Sequence, residues 1–283
     1  MATADRTPPP SPDPGRLFRI GLARAFGGAI LFSLPMFMTM EMWWLGFTMD
    51  QGRLALMLLL GLPMLVGLSH YIGFEETFGW VDDLVDAFVA YAVGFAAGGT
   101  ILLLFGVIRP DMALAEIVGK VALQALAGAL GALLAQNQFG QSTDAPPARR
   151  RISSYRGELF IMAVGSLFLA FNVAPTEEMV LIAYQMAEWQ ALALAGLSLV
   201  LMHAFVYAVR FSGQEARRPA DGPWWSLFLR YTVAGYAVAL AMSLYALWSF
   251  GRLDGMGPEP AVMATVVLGF PSAMGAAAAR LIL

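Results

Sequence analysis

Two glutamates, Glu41 and Glu178, stand inside long apolar stretches of this sequence. A carboxylate held within a bilayer costs about 2.5–3.5 kcal/mol on insertion scales, so such a residue is a functional candidate by default. The chemistry open to it is binding a proton or a metal cation. Both glutamates sit in a Thr-x-Glu-Met string, as Thr39-x-Glu41-Met42 and Thr176-x-Glu178-Met179. Glu177 adds a further carboxylate to the second string. The run Asn172-Val-Ala-Pro175-Thr176-Glu177-Glu178 reads as a helix start placed deep in an apolar segment. Proline removes a donor, Thr176 is a capping type, and carboxylates suit the positive end of a helix dipole. A break is therefore expected in that helix, and a milder kink at Pro35. Irregular backbone at membrane depth survives only beside protein or a watery cavity, where ion sites are often built. Thr48 and Gln185 lie seven residues beyond Glu41 and Glu178, on the same helical stripe. Thr39, Glu41, Thr48, Asn172, Thr176, Glu177, Glu178 and Gln185 are the expected pathway residues.

Other chemistry finds little support. The chain has 0 cysteines, which removes disulfides, thiolate metal sites and cysteine nucleophiles. His70 and His203 are not matched between the two strings and read as hydrogen-bonded packing residues. Asp82, Asp83 and Asp86 read as a solvated acidic loop. No His-Glu-x-x-His, Gly-x-Ser-x-Gly or phosphate-binding loop is present, and no nucleophile stands beside a base. An enzyme is not expected, nor is any cofactor. A net charge of −3 without a basic patch argues against nucleic acid.

The elements that position the glutamates follow from composition. Hydrophobic residues make up 59% and charged residues 13% of the chain. A soluble domain carries about 25% charged residues. Here the deficit fits a surface facing lipid. Eight stretches are long enough to cross a bilayer, at 23–45, 53–73, 85–108, 114–135, 159–184, 189–210, 227–250 and 261–282. The fold class is all-α, a polytopic transmembrane bundle of eight spans. Small residues in the fourth span (Ala127, Gly131, Ala135) and the eighth (Gly275, Ala279) predict close helix packing.

With eight spans both termini share one side. That side collects 13 of the 17 basic residues, which predicts cytoplasmic termini in the bacterial inner membrane. Lys120 is the single lysine, which fits a GC-rich bacterial genome. The two strings are offset by 137 residues, and the third and seventh spans share Gly94-x-x-x-Gly98 and Gly235-x-x-x-Ala239. The expected organisation is a Pro-rich disordered tail at 1–15, a four-helix repeat at 16–136, a basic cytoplasmic linker at 137–156 and a second four-helix repeat at 157–283. An even number of spans per half makes the repeats parallel.

The string FNVAPTEEM, its match MTMEMWW and the eight-span layout resemble a family of bacterial integral membrane proteins carrying a domain of unknown function. That resemblance implies a membrane location and no substrate. The Asn-x-Ala-Pro-x-x-Glu spacing also resembles, at a different register, the Asn-Ala-Pro-Glu core of calcium/cation exchangers. The expected function is movement of a small cation, a proton or a divalent metal, past Glu41 and Glu178. The alternative is a membrane scaffold or sensory protein without transport. The lipid bilayer is the expected partner, with a small cation as the ligand.

Overall fold

The computed structural model describes residues 14–72, 79–139, 154–207, 225 and 228–282. Most of the N-terminal tail, the basic linker core at 140–153 and the arginines at 210, 217 and 218 lie outside the described residues, as do Glu75 and Glu76.

The described chain is helical, with no strand among the described residues. Its helices are α1 (Pro14–Phe37), α2 (Met40–Thr48), α3 (Gln51–Ile72), α4 (Trp80–Leu104), α5 (Leu114–Phe139), α6 (Tyr155–Val173), α7 (Glu177–Gln185), α8 (Glu188–Tyr207), α9 (Ala234–Ser249) and α10 (Pro258–Ile282). A π-helical turn, Phe228–Val233, leads into α9. Among the described residues, eight helices are long and apolar enough to span a bilayer. This arrangement answers the backbone problem, because a helix satisfies its own N–H and C=O groups where no water can.

Two spans are shorter than the sequence suggests. The first ends at Phe37 and the fifth at Val173, not near 45 and 184. The apolar character does continue, through Trp43, Leu45 and Val180 to Ala183, but the backbone breaks first. The continuation forms α2 and α7, each of 9 residues. At 1.5 Å per residue each is about 13 Å long, too short to cross. Both close the same end of the bundle, here the distal end, opposite the chain termini. Glu41 and Glu178 thus belong to separate short helices past the ends of their spans.

Within each half the helices pack alike. α5 meets α1, α2, α3 and α4, and α10 correspondingly meets α6, α7, α8 and α9. Small residues permit the closest approaches. A Cβ on Gly28 would stand 2.7 Å from the Gly131 carbonyl, and one on Gly131 would stand 2.8 Å from the Gly28 carbonyl. Gly165 and Gly275 face each other in the same way, with Ala279 beside them. The expected close packing of Gly131, Ala135, Gly275 and Ala279 is therefore present. Gly94 and Gly235 differ: Gly94 abuts the backbone of Ala125 and Ala129, whereas Gly235 abuts the side chains of Met162 and Met202. The matching turns fall elsewhere, at Phe105-Gly106 and Phe250-Gly251, where both glycines have φ +70°. Only glycine adopts that backbone without strain.

The halves meet through unlike faces. α6 packs on α1, α3 and α5, and α9 packs on α3. α8 makes no comparable packing on α1 or α4. One core cluster nevertheless runs across the seam, joining Leu65, Leu130, Leu167, Phe171 and Leu247.

A part-buried ion pair within α5 lies under α2. Lys120 on α5 is 5% exposed, and its Nζ lies 2.7 Å from Glu116 one turn earlier. Gly46 of α2 rests against the Lys120 stem and backbone. Breaking such a pair from one side strands the remaining charge. Lys120→Met should lower stability by about 3 kcal/mol. The double change Lys120→Met/Glu116→Gln should recover most of that loss. Thermal unfolding in detergent measures both, and equal losses in single and double variants would contradict the pairing.

Candidate functional site

The two backbone breaks define the site. In the first, α1 runs through Pro35 to Phe37, and α2 begins after Thr39. In the second, α6 ends at Val173, Ala174 to Thr176 form the break, and α7 begins at Glu177. Pro175 supplies no N–H, so the helical ladder cannot run through it. The expected break in the fifth span is present, one or two residues later than Asn172.

Thr176 does not cap its helix as expected, and Thr39 behaves alike. Neither Thr39 nor Thr176 caps its helix with its side chain. Each hydroxyl instead donates backwards, Thr39 to the Pro35 carbonyl at 2.5 Å and Thr176 to the Val173 carbonyl at 2.8 Å. Asn172 donates its amide to the Phe168 carbonyl at 2.7 Å, leaving its buried Oδ1 without a protein partner.

Each break exposes carbonyls that need a donor. Trp43 Nε1 donates to the Phe37 carbonyl at 2.8 Å in the first break. In the second, Arg252 Nη2 donates to the Pro175 carbonyl. Arg252 is half-buried on the turn between α9 and α10. Burial draws its guanidinium below the ordinary arginine range, and the charges of Glu177 and Glu41 pull it back up. One cation of the second half thus feels a carboxylate from each short helix.

Glu177 and Glu41 act on Arg252 through their charge alone, and the hydrogen bond Arg252 makes is the one to the Pro175 carbonyl. Glu177 and Glu178, the latter the match of Glu41 by sequence offset, are both exposed, while Glu41 is half-buried; of the adjacent pair only Glu177 acts on the charge of Arg252. Thr48 and Gln185 are also exposed at the far ends of α2 and α7, and Thr48 donates to the Trp44 carbonyl at 2.9 Å. They are not drawn in beside Arg252. A second arginine closes the distal seam. Arg53 makes two hydrogen bonds to Asp254, at 2.8 and 2.9 Å, and its guanidinium lies 5.2 Å from the Trp248 ring centroid. Arg53 and Arg252 were legible in sequence only as sparse basic residues on the poorer side.

The proximal end holds other polar groups. Asp83 is 3% exposed, so it is not part of a solvated loop. The first turn of α4 folds inward onto α3, where Asp83 Oδ2 meets His70 Nδ1 at 3.0 Å. Ser69 donates to Asp86 at 2.9 Å. His203 pairs with the Thr232 hydroxyl at 3.1 Å, as a packing histidine would. Glu158 and Arg280 form an ion pair at 2.9 Å. Among the described residues no three His, Cys, Asp or Glu side chains gather as a metal site would require.

No curated protein and no solved structure matches this chain. The family described as "Putative integral membrane protein (DUF2391)" matches residues 21–283. With nearly the whole chain covered and eight spanning helices in place, the protein belongs to that family of integral membrane proteins.

Proposed function

We propose that the protein moves protons across the bilayer, with Glu41 and Glu177 as the distal proton acceptors and Arg252 as their resting counter-cation. The supporting observation is Arg252 itself, half-buried at a broken helix and attracted to one carboxylate from each half. In the resting state its charge offsets the two carboxylates. A proton arriving on either glutamate weakens that attraction and frees the guanidinium to shift. The Pro175 carbonyl then loses its donor, so protonation is coupled to the α6–α7 break. A divalent metal fits less well, because the positive charge of Arg252 opposes it and, among the described residues, no three acidic or histidine side chains gather as ligands.

The two halves are read as a duplication, on the shared Thr-x-Glu-Met strings and the shared packing pattern. The 13-to-4 distribution of basic residues supports cytoplasmic termini in a bacterial inner membrane, with α2 and α7 facing outward. A membrane scaffold is the second reading. Its support is the exposed row of Glu178, Tyr184, Gln185 and Trp189, which suits a partner better than an ion path.

Proteoliposomes loaded with a pH-sensitive dye decide between the two. An imposed pH gradient should drive proton entry through the wild type. Glu41→Gln should cut that entry at least about 100-fold, the lower range for loss of a proton-transfer group. A wild type no leakier than empty liposomes would leave the scaffold reading.

A further inference from the structure

An open groove lies between the distal starts of α8 and α10, on the outside of the second half. It encloses about 500 Å³, within the about 300–1,000 Å³ typical of small-molecule sites. Small side chains make the space. Ala191 and Ala195, one turn apart on α8, bring only methyl groups to it, and Ala191 and Met263 form a buried floor. Leu192 and Val262 flank it as walls, 75% and 62% exposed. Beyond Ala195 the two helices close, where Leu199 packs on the cluster of Met202 and Ala273. From Glu188 to Ala195 the groove runs about 10 Å along α8 at 1.5 Å per residue.

The mouth of this apolar groove is acidic. Glu188 and Glu259 line it, each in the first turn of its helix. Neither carboxylate makes a hydrogen bond or an ion pair among the described residues. The start of α8 is served by Gln190 instead, whose Oε1 accepts from the Ala187 N–H at 2.8 Å. Among the described residues no basic side chain lines the groove. The charges on the turn leading into α10 are engaged elsewhere, Asp254 with Arg53 and Arg252 with the Pro175 carbonyl. A helix start carries roughly half a positive charge, so two starts and two carboxylates leave about one negative charge at the mouth. An apolar slot ending in one net negative charge complements an apolar chain ending in one positive charge. We propose that the groove binds a membrane-dissolved amphiphilic ammonium, with its alkyl chain between α8 and α10 and its head at Glu188 and Glu259. A phospholipid fits less well, because its phosphate would meet the same two carboxylates. A second groove on the other side of α10, along Leu240, Leu244 and Thr265, encloses about 220 Å³ and is lined by no charged residue. It could hold a chain but gives a cationic head nothing to meet. The site shares no residue with Glu41, Glu177 and Arg252 and does not rest on the proton-transport reading.

Octyltrimethylammonium is the probe, in equilibrium dialysis against the protein in phosphatidylcholine nanodiscs, with empty nanodiscs as the reference. The wild type should hold a clear excess over empty nanodiscs. Glu188→Gln/Glu259→Gln changes two exposed side chains and leaves the core alone. It should weaken binding roughly tenfold or more, because each carboxylate attracts an adjacent ammonium even in water. Ala195→Phe, which fills the inner end of the groove, should weaken binding as much, while Leu244→Trp in the second groove should bind like the wild type. Octyl glucoside, with the same chain and no charge, should show no excess. No excess for the ammonium in the wild type, or full binding in the double glutamine variant, would overturn the proposal. An equal excess for octyl glucoside would do the same. Native mass spectrometry identifies the rival occupants. A co-purified phospholipid or a dimer that is lost in Ala195→Phe, with no ammonium bound, would assign the groove to a bilayer lipid or to a second copy and overturn the proposal as well.

Discussion

Gly275→Leu should leave almost no monodisperse protein, while Gly196→Leu should express and melt like the wild type. The difference lies in what a new side chain meets. A Cβ on Gly275 runs into the backbone carbonyl of Gly165 on α6, and a Leu169 side-chain carbon stands 3.1 Å away. A backbone carbonyl cannot rotate aside as a methionine tip can. α6 and α10 would have to separate along their whole contact, which is the most extensive in the second half. Overpacking a core typically costs about 1–3 kcal/mol, and a backbone-to-backbone contact belongs at or above the top of that range. Separation also moves the α6–α7 break away from Arg252. Gly196 on α8 has nothing within 4 Å of an added Cβ. Size-exclusion profiles and melting curves in one detergent make the comparison. A well-behaved Gly275→Leu protein would show that the two helices do not touch as described.

Arg252→Ala should loosen one short segment without unfolding the bundle. The change removes the donor to the Pro175 carbonyl and the cation beside Glu177 and Glu41. A hydrogen bond from a charged group contributes about 1.5–3 kcal/mol. Losing it should speed amide exchange at residues 176–179 by roughly tenfold or more, since 1.4 kcal/mol of local stability corresponds to one decade. Exchange in the α1–α2 break should change less, because Trp43 still donates to Phe37 there. Arg252→Lys should restore only part of the protection, as an ammonium lacks the planar guanidinium geometry with which Arg252 meets the Pro175 carbonyl. Mass-spectrometric exchange on the two peptides gives the answer. Unchanged exchange around Pro175 in Arg252→Ala would remove the arginine from the account of the break.

The spanning helices were legible in the sequence because lipid leaves few alternatives. A run of some twenty apolar residues with no partner for its backbone must be helical, whatever its neighbours. The ends of the first and fifth spans were less legible. Trp43, Leu45 and Val180 keep the hydropathy high past the break, so apolarity alone carries the helix too far. The local chemistry of Asn172 to Thr176 did mark the interruption, because a missing N–H acts through its immediate neighbours.

Side-chain partners were harder. Arg252 lies 77 residues from Pro175, and only tertiary packing puts the two together. The sequence offset pairs Glu41 with Glu178, yet Glu177 is the residue whose charge acts on Arg252. Consecutive residues on a helix point about 100° apart, so the choice between them depends on how α7 is rotated, which no offset specifies. Asp83 illustrates the same limit. Three aspartates near a loop read as solvated, and only the inward turn of α4 against His70 shows one of them buried.

In the proposed function one carboxylate from each half, Glu41 and Glu177, serves the proton through Arg252. Glu177→Gln and Glu178→Gln, adjacent and chemically identical changes, test it most directly in proteoliposomes under an imposed proton gradient. Glu177→Gln should lose at least about 100-fold in proton flux, in line with removing a proton-transfer group, while Glu178→Gln should stay near wild type. Flux lost in Glu178→Gln and kept in Glu177→Gln, or kept in both, would contradict it.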